Sequence, residues 1–132
     1  MPTHLTSWKE YLAVGIGGMF GAVGRYSISV FVENRFLFPI ETLAANLFGC
    51  FLLSFLLASK WFRRNIPPTI SIGFTTGAIG AFTTFSTFAI ETIELGINHF
   101  LLSFIYVCIS VIGGILFCFM GYKLATKGKR TI

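Results

Sequence analysis

GAIGAFTTFSTFAIE, residues 77–91, is the stretch whose reading decides the fold. It closes a run from Asn65 to Ile90 that holds no charged residue, yet it is not uniformly apolar. Two glycines stand three apart at Gly77 and Gly80, phenylalanines then alternate with hydroxyl residues, and the stretch ends on the carboxylate of Glu91. Read as helix, Phe82, Phe85 and Phe88 recur every third residue on one drifting stripe. Thr84, Thr87 and Glu91 form a second stripe, with Thr83 and Ser86 between. A phenylalanine stripe alone is ordinarily a lipid-facing or packing surface; one bordered by hydroxyls is rarer. Glycines followed by threonines also mark a place for the helix to unwind. Backbone freed at membrane depth has to be buried in protein, line a cavity or coordinate something.

The rest of the chain supplies the membrane. Of 132 residues, 55% are hydrophobic and 17% aromatic, only 11% are charged, and there are 16 Phe and 14 Gly. Mean hydropathy is +0.80. Soluble domains carry about 25% charged residues, so the composition defines an all-α integral membrane protein. The net charge of +5 is gathered in short segments between apolar runs, which explains it by topology rather than by nucleic-acid binding. Cys50, Cys108 and Cys118 lie within apolar runs without a CxxC spacing or a nearby His, and read as small core residues.

A spanning helix needs about 20 apolar residues. The charge-poor runs Tyr11 to Val32 (interrupted by Arg25), Thr42 to Ser59, Asn65 to Ile90 and Leu95 to Tyr122 therefore predict four transmembrane helices. Their expected bounds are about 9–33, 42–60, 67–94 and 96–124, the third broken, in a single membrane domain covering 1–132. Connectors are expected at Glu33 to Glu41, at Lys60 to Pro68, whose Pro pair starts the third helix, and at Glu91 to Gly96. The first helix lacks the pattern of a cleavable signal. On one side lie Lys9, Lys60, Arg63, Arg64, Lys123, Lys127, Lys129 and Arg130; on the other only Arg35. The positive-inside rule then predicts an inner (plasma) membrane protein with both termini cytoplasmic.

Polar groups inside spans are costly and each needs a reason. Arg25, in GGMFGAVGRY (17–26), either snorkels to the lipid boundary or forms a cationic vestibule. Asn46, in TLAANLFGCF (42–51), is either helix glue or a ligand-facing donor. Tyr106 and Ser110 share one helix face. Gly17–Gly21, Gly73–Gly77 and Ser110–Gly114 read as packing faces. Carbonyls freed at a break suit a hard cation such as Na+. Phenyl edges carry partial positive charge and, with hydroxyl and amide donors, would make a narrow, dry path for a small anion.

Together these motifs resemble the Fluc (CrcB) family of fluoride channels, across all four spans. GGMFGAVGRY and TLAANLFGCF are similar to its first two helix motifs, and GFTTGAIGAFTTFSTF (73–88) is similar to its third. The resemblance implies an antiparallel, inverted dimer with two pores and passive, selective export of cytoplasmic F−, conferring fluoride resistance. It implies a fluoride pathway through Phe85 and Phe88, the pore amide Asn46, the hydroxyls of Thr42, Ser86, Thr87, Tyr106 and Ser110, and Glu91. Arg25 matches the vestibule arginine. Gly80 and Thr83 match positions whose backbone carbonyls hold a structural Na+ at the dimer centre. The chain departs from the family pattern at Glu41, where a glycine is usual, and at Gly114, which shortens the hydroxyl track. The resemblance further implies an inverted partner, either a second copy or an oppositely biased paralogue. The lopsided Lys and Arg distribution favours the paralogue.

Three other classes compete. A small multidrug exporter needs a carboxylate deep in the first helix, where this chain has Arg25 and neither Asp nor Glu. A scaffold would use the polar residues purely as helix glue and tolerate Leu at Phe85 and Phe88. An enzyme has little to build on: His4 and His99 stand apart from any nucleophile or ligand cluster, and no GxxxxGK[ST] nucleotide loop occurs.

Overall fold

The computed structural model describes residues 7–32 and 37–127. Arg35, Lys129 and Arg130, which enter the orientation argument, lie outside the described residues, as does the expected first-helix end at residue 33. Among the described residues the structure is helical throughout, without a strand. Helix α1 covers Trp8–Val32 and α2 covers Ile40–Ala58. A short α3, Lys60–Asn65, is capped by Ser59, whose side chain accepts from the Phe62 N–H at 3.3 Å. The Pro pair then opens α4, Pro68–Ile72, with Pro68 at its start, where a missing N–H costs nothing. A π-helical segment, Gly73–Ile79, and a single turn α5, Gly80–Phe82, follow without interruption. After Thr83 and Thr84 come α6, Phe85–Asn98, and α7, Phe100–Thr126.

Two features differ from the expected layout. The chain does not unwind at the glycines: Gly80 keeps helical angles (φ −61°, ψ −37°), and the helix breaks at Thr83 (φ −80°, ψ 155°) and Thr84 (φ −146°, ψ 126°). Glu91 to Gly96 is not a connector but part of α6, and the turn into α7 is His99 alone (φ −145°, ψ 75°). The reason is packing. Glu91 is tied to α2 and α7, and Gly96 lies within α6 beside Ser103 at ordinary contact distance. The Ser103 hydroxyl fastens that hairpin by donating to the Thr92 carbonyl at 2.7 Å.

Glycine sets the other helix contacts. A Cβ on Gly17 would run into the Gly73 carbonyl and one on Gly21 into the Ala78 carbonyl. Backbone thus meets backbone where α1 crosses the π-helical segment, the close approach that small residues permit between helices. Along α2 and α7, Gly121 lies against the Phe51 carbonyl, and Ser54 Oγ donates to the Cys118 carbonyl at 2.6 Å.

The burial pattern is the reverse of a soluble domain. Large apolar side chains such as Phe20, Phe31, Phe104 and Phe119 point outward, and Tyr106 is the one large side chain with no exposure among the described residues. Helices α2 and α7 are each long and apolar enough to cross a membrane. In a bilayer those outward faces meet hydrocarbon, while the helices satisfy their own backbone groups.

Candidate functional site

The break at Thr83–Thr84 organises the site. Thr84 caps α6: its Oγ1 accepts from the Thr87 N–H at 3.2 Å and donates to Thr87 Oγ1 at 3.0 Å. Asn46 reaches over from α2 and grips the same residue. Its Nδ2 donates to the Thr84 carbonyl at 3.0 Å, and its Oδ1 accepts from the Thr84 N–H at 2.8 Å. In an unbroken helix the N–H groups of Thr84 and Thr87 would return to the carbonyls of Gly80 and Thr83. Here Asn46 and the Thr84 hydroxyl take them. The Gly80 carbonyl keeps only a long contact from Thr83 Oγ1 at 3.5 Å.

Beside the break lies a groove of about 410 Å3. Asn46, Phe85, Phe88 and Ser110 line it, together with Gly80 and Thr83. Phe85 is 80% exposed, and its ring centroid stands 5.9 Å from that of Phe88. Phe88 in turn packs 5.2 Å from Tyr106, whose other neighbour is the ring of Phe38 at 5.4 Å in an edge arrangement. The Ser110 hydroxyl is buried in the groove wall and has no hydrogen-bond partner in the protein. One N–H of the Asn46 amide holds Thr84; the second remains for whatever occupies the groove.

Behind the groove, Glu91 is held by both carboxylate oxygens. Oε1 accepts from Thr42 Oγ1 at 2.7 Å and Oε2 from the Tyr106 hydroxyl at 2.8 Å. These two bonds join α2, α6 and α7 around a single carboxyl group. A second cavity, of about 130 Å3, opens on the far side of Thr42 and Thr87 and is walled by Arg25 and Glu41.

The expected site residues therefore fall into three places. Asn46, Phe85, Phe88, Ser110, Gly80 and Thr83 share the groove; Arg25, Thr42 and Thr87 share the second cavity; Glu91 and Tyr106 form the bridge between α6 and its neighbours. Ser86 reaches neither cavity, although its Oγ lies 3.3 Å from Thr84 Oγ1. Sequence reasoning did not single out Thr84 as the pivot of the break. The signal was present, a Thr three residues ahead of Thr87, which is N-cap spacing. Phe38, the second ring against Tyr106, carried no signal in a connector.

These features define a small helical membrane protein whose polar residues converge on two cavities between helices. The chain belongs to the CrcB-like family: the family model described as "CrcB-like protein, Camphor Resistance (CrcB)" matches residues 12–122. It is 44% identical over 118 residues to a protein of Bacillus cereus named "Fluoride-specific ion channel FluC 1", covering 86% of this chain and 85% of the relative. It is 48% identical over 118 residues to "Fluoride-specific ion channel FluC 2" of Staphylococcus haemolyticus, covering 87% of this chain and 95% of the relative. A relative from Moorella thermoacetica, "Fluoride-specific ion channel FluC 1", is 39% identical over 118 residues, covering 87% and 84%.

Proposed function

We propose that this chain is a fluoride-selective channel rather than an enzyme, passing F− out of the cytoplasm down its electrochemical gradient and so conferring fluoride resistance. The observation that carries this reading is the groove in which Phe85, Phe88, Asn46 and Ser110 come together, in a chain whose relatives bear the name of fluoride-specific channels. Ring edges of Phe85 and Phe88 offer partial positive charge without the strong binding of a full cation. The free N–H of Asn46 and the unpaired Ser110 hydroxyl supply donors to replace water. An apolar wall favours an ion small enough to fit, provided those donors offset its lost hydration.

The groove is open on one side, and Phe85 is largely exposed. An inverted second subunit closes it in this reading, giving two pores per dimer in the plasma membrane. The Lys and Arg bias puts both termini of this chain in the cytoplasm and favours an oppositely biased paralogue as partner over a second copy. Thr42, Thr87, Tyr106 and Glu91 carry the pathway on toward the Arg25 vestibule, with Ser86 at its edge. The carbonyls of Gly80 and Thr83, deprived of their helical N–H partners, fit a Na+ site. When bound there, Na+ would supply the positive charge that holds the two subunits together.

Fluoride efflux from liposomes, followed by electrode with chloride as control, tests the proposal. Efflux selective for fluoride is expected, from this chain alone or with an oppositely biased paralogue. Monodisperse protein that passes no fluoride in either setting sinks the reading.

A further inference from the structure

The second cavity is lined by two side chains of opposite charge. Arg25 enters it from α1 and Glu41 from the first turn of α2, with Thr42 and Thr87 completing the polar wall. Arg25 Nε and Glu41 Oε2 are both shut off from solvent, and neither has a hydrogen-bond partner in the protein. Both residues are half-buried overall, and a shielded polar atom without a protein partner is left to water or an ion in the cavity. The cavity of about 130 Å3 has room for about four waters at roughly 30 Å3 each, or for one small anion with part of its hydration shell.

A guanidinium alone in such a space would retain any anion that entered, because the low-dielectric wall strengthens the attraction. A carboxylate sharing the space cancels that charge. We propose that Glu41 is a resident counter-anion of Arg25, competing with the incoming small anion for the guanidinium and thereby setting the anion affinity of the vestibule. The vestibule and its anion, fluoride, rest on the channel reading above; that Arg25 and Glu41 share one cavity does not.

Glu41→Gln keeps the shape and removes the charge; Glu41→Gly removes the whole side chain. Two measurements read the result: efflux from liposomes against internal fluoride, and thermal unfolding in detergent against sodium fluoride, with sodium gluconate as control. In Glu41→Gln the half-saturating fluoride concentration is expected to fall about fivefold or more, the usual scale of coupling between sites. Its unfolding midpoint is expected to rise more steeply with fluoride than that of the wild type, because a ligand that binds the folded state tighter stabilises it more. Both effects should vanish in an Arg25→Gln background, where nothing is left to compete for. Unchanged half-saturation and unchanged fluoride-dependent midpoints, or changes that persist without Arg25, overturn the proposal. So does failure of both Glu41 variants to yield monodisperse protein, which would make Glu41 a structural ion-pair partner. If the wild type passes no fluoride, the channel reading fails. The fluoride-dependent midpoints then decide the role of Glu41 by the same comparison.

Discussion

Asn46 holds Thr84 by both ends of its amide, donating to the carbonyl at 3.0 Å and accepting from the N–H at 2.8 Å. A side chain on one helix thereby replaces the hydrogen bonds that a break in another has lost. The break is stable because α2 completes it, and α2 is in turn registered against it. The groove beside Phe85 and Phe88 exists because the chain leaves the helix at this point and starts again in a new direction.

Asn46→Ala should therefore damage the fold before it damages any pathway. It leaves the part-buried Thr84 N–H without its partner, at about 1–3 kcal/mol, while the Thr84 carbonyl keeps the first intrahelical bond of α6. Thermal unfolding in detergent should show the loss, and an unchanged midpoint would mean the clamp contributes little.

The carboxylate of Glu91 gives a second prediction. Tyr106→Phe removes the donor to Oε2 and Thr42→Val the donor to Oε1. Each should cost about 1–3 kcal/mol, the range for leaving a buried hydrogen-bonding partner unsatisfied. The double variant should depart from additivity, since both bonds end on one side chain. Denaturation of the two single variants and the double variant completes the cycle, and strict additivity would argue against a shared carboxylate.

Phe85 and Phe88 should separate stability from transport. Phe85→Ile alters a ring that is 80% exposed in the subunit and should change subunit stability by no more than about 0.5 kcal/mol. Phe88→Ile removes ring contacts to Phe85 and Tyr106 worth about 0.5–1.5 kcal/mol each. Both should lower fluoride efflux about tenfold, equivalent to roughly 1.4 kcal/mol in the barrier. Wild-type efflux from Phe85→Ile would remove that ring from the pathway.

The glycine contacts should be unequal. Gly21→Ala drives a methyl group into the Ala78 carbonyl, which cannot move aside as a flexible side chain would, so a loss of about 1–3 kcal/mol or more is expected. Gly15→Ala meets nothing within 4 Å and should leave the protein unharmed. The yield of monodisperse protein, with the midpoint, distinguishes them; equal behaviour would show that α1 does not pack this closely on the π-helical segment.

Much of this was visible along the chain. The close-approach glycines Gly17, Gly21, Gly73 and Gly77 stand at four-residue spacing, which already marks a helix face. Glycines followed by threonines mark a break within residues 77–84, but not the position inside that span at which it falls. Local propensity does favour Gly77 and Gly80. The break instead falls where Asn46 can satisfy the backbone, and that partner is 38 residues away in sequence. Charge likewise puts Glu91 at the start of a connector, although the stripe it shares with Thr84 and Thr87 places it on a helix. Its partners Thr42, 49 residues away, and Tyr106, 15 residues away, make it an interior group.

The long apolar helices, the glycine faces and the alternation of phenylalanine with hydroxyls follow from residue order, because transfer into lipid and close helix approach depend on each residue and its near neighbours. The Asn46–Thr84 clamp, the carboxyl group shared by Thr42 and Tyr106, and the cavity lined by both Arg25 and Glu41 follow from how far each helix is turned about its own axis. That rotation is set by the packing of all the helices at once, so no window of sequence contains it.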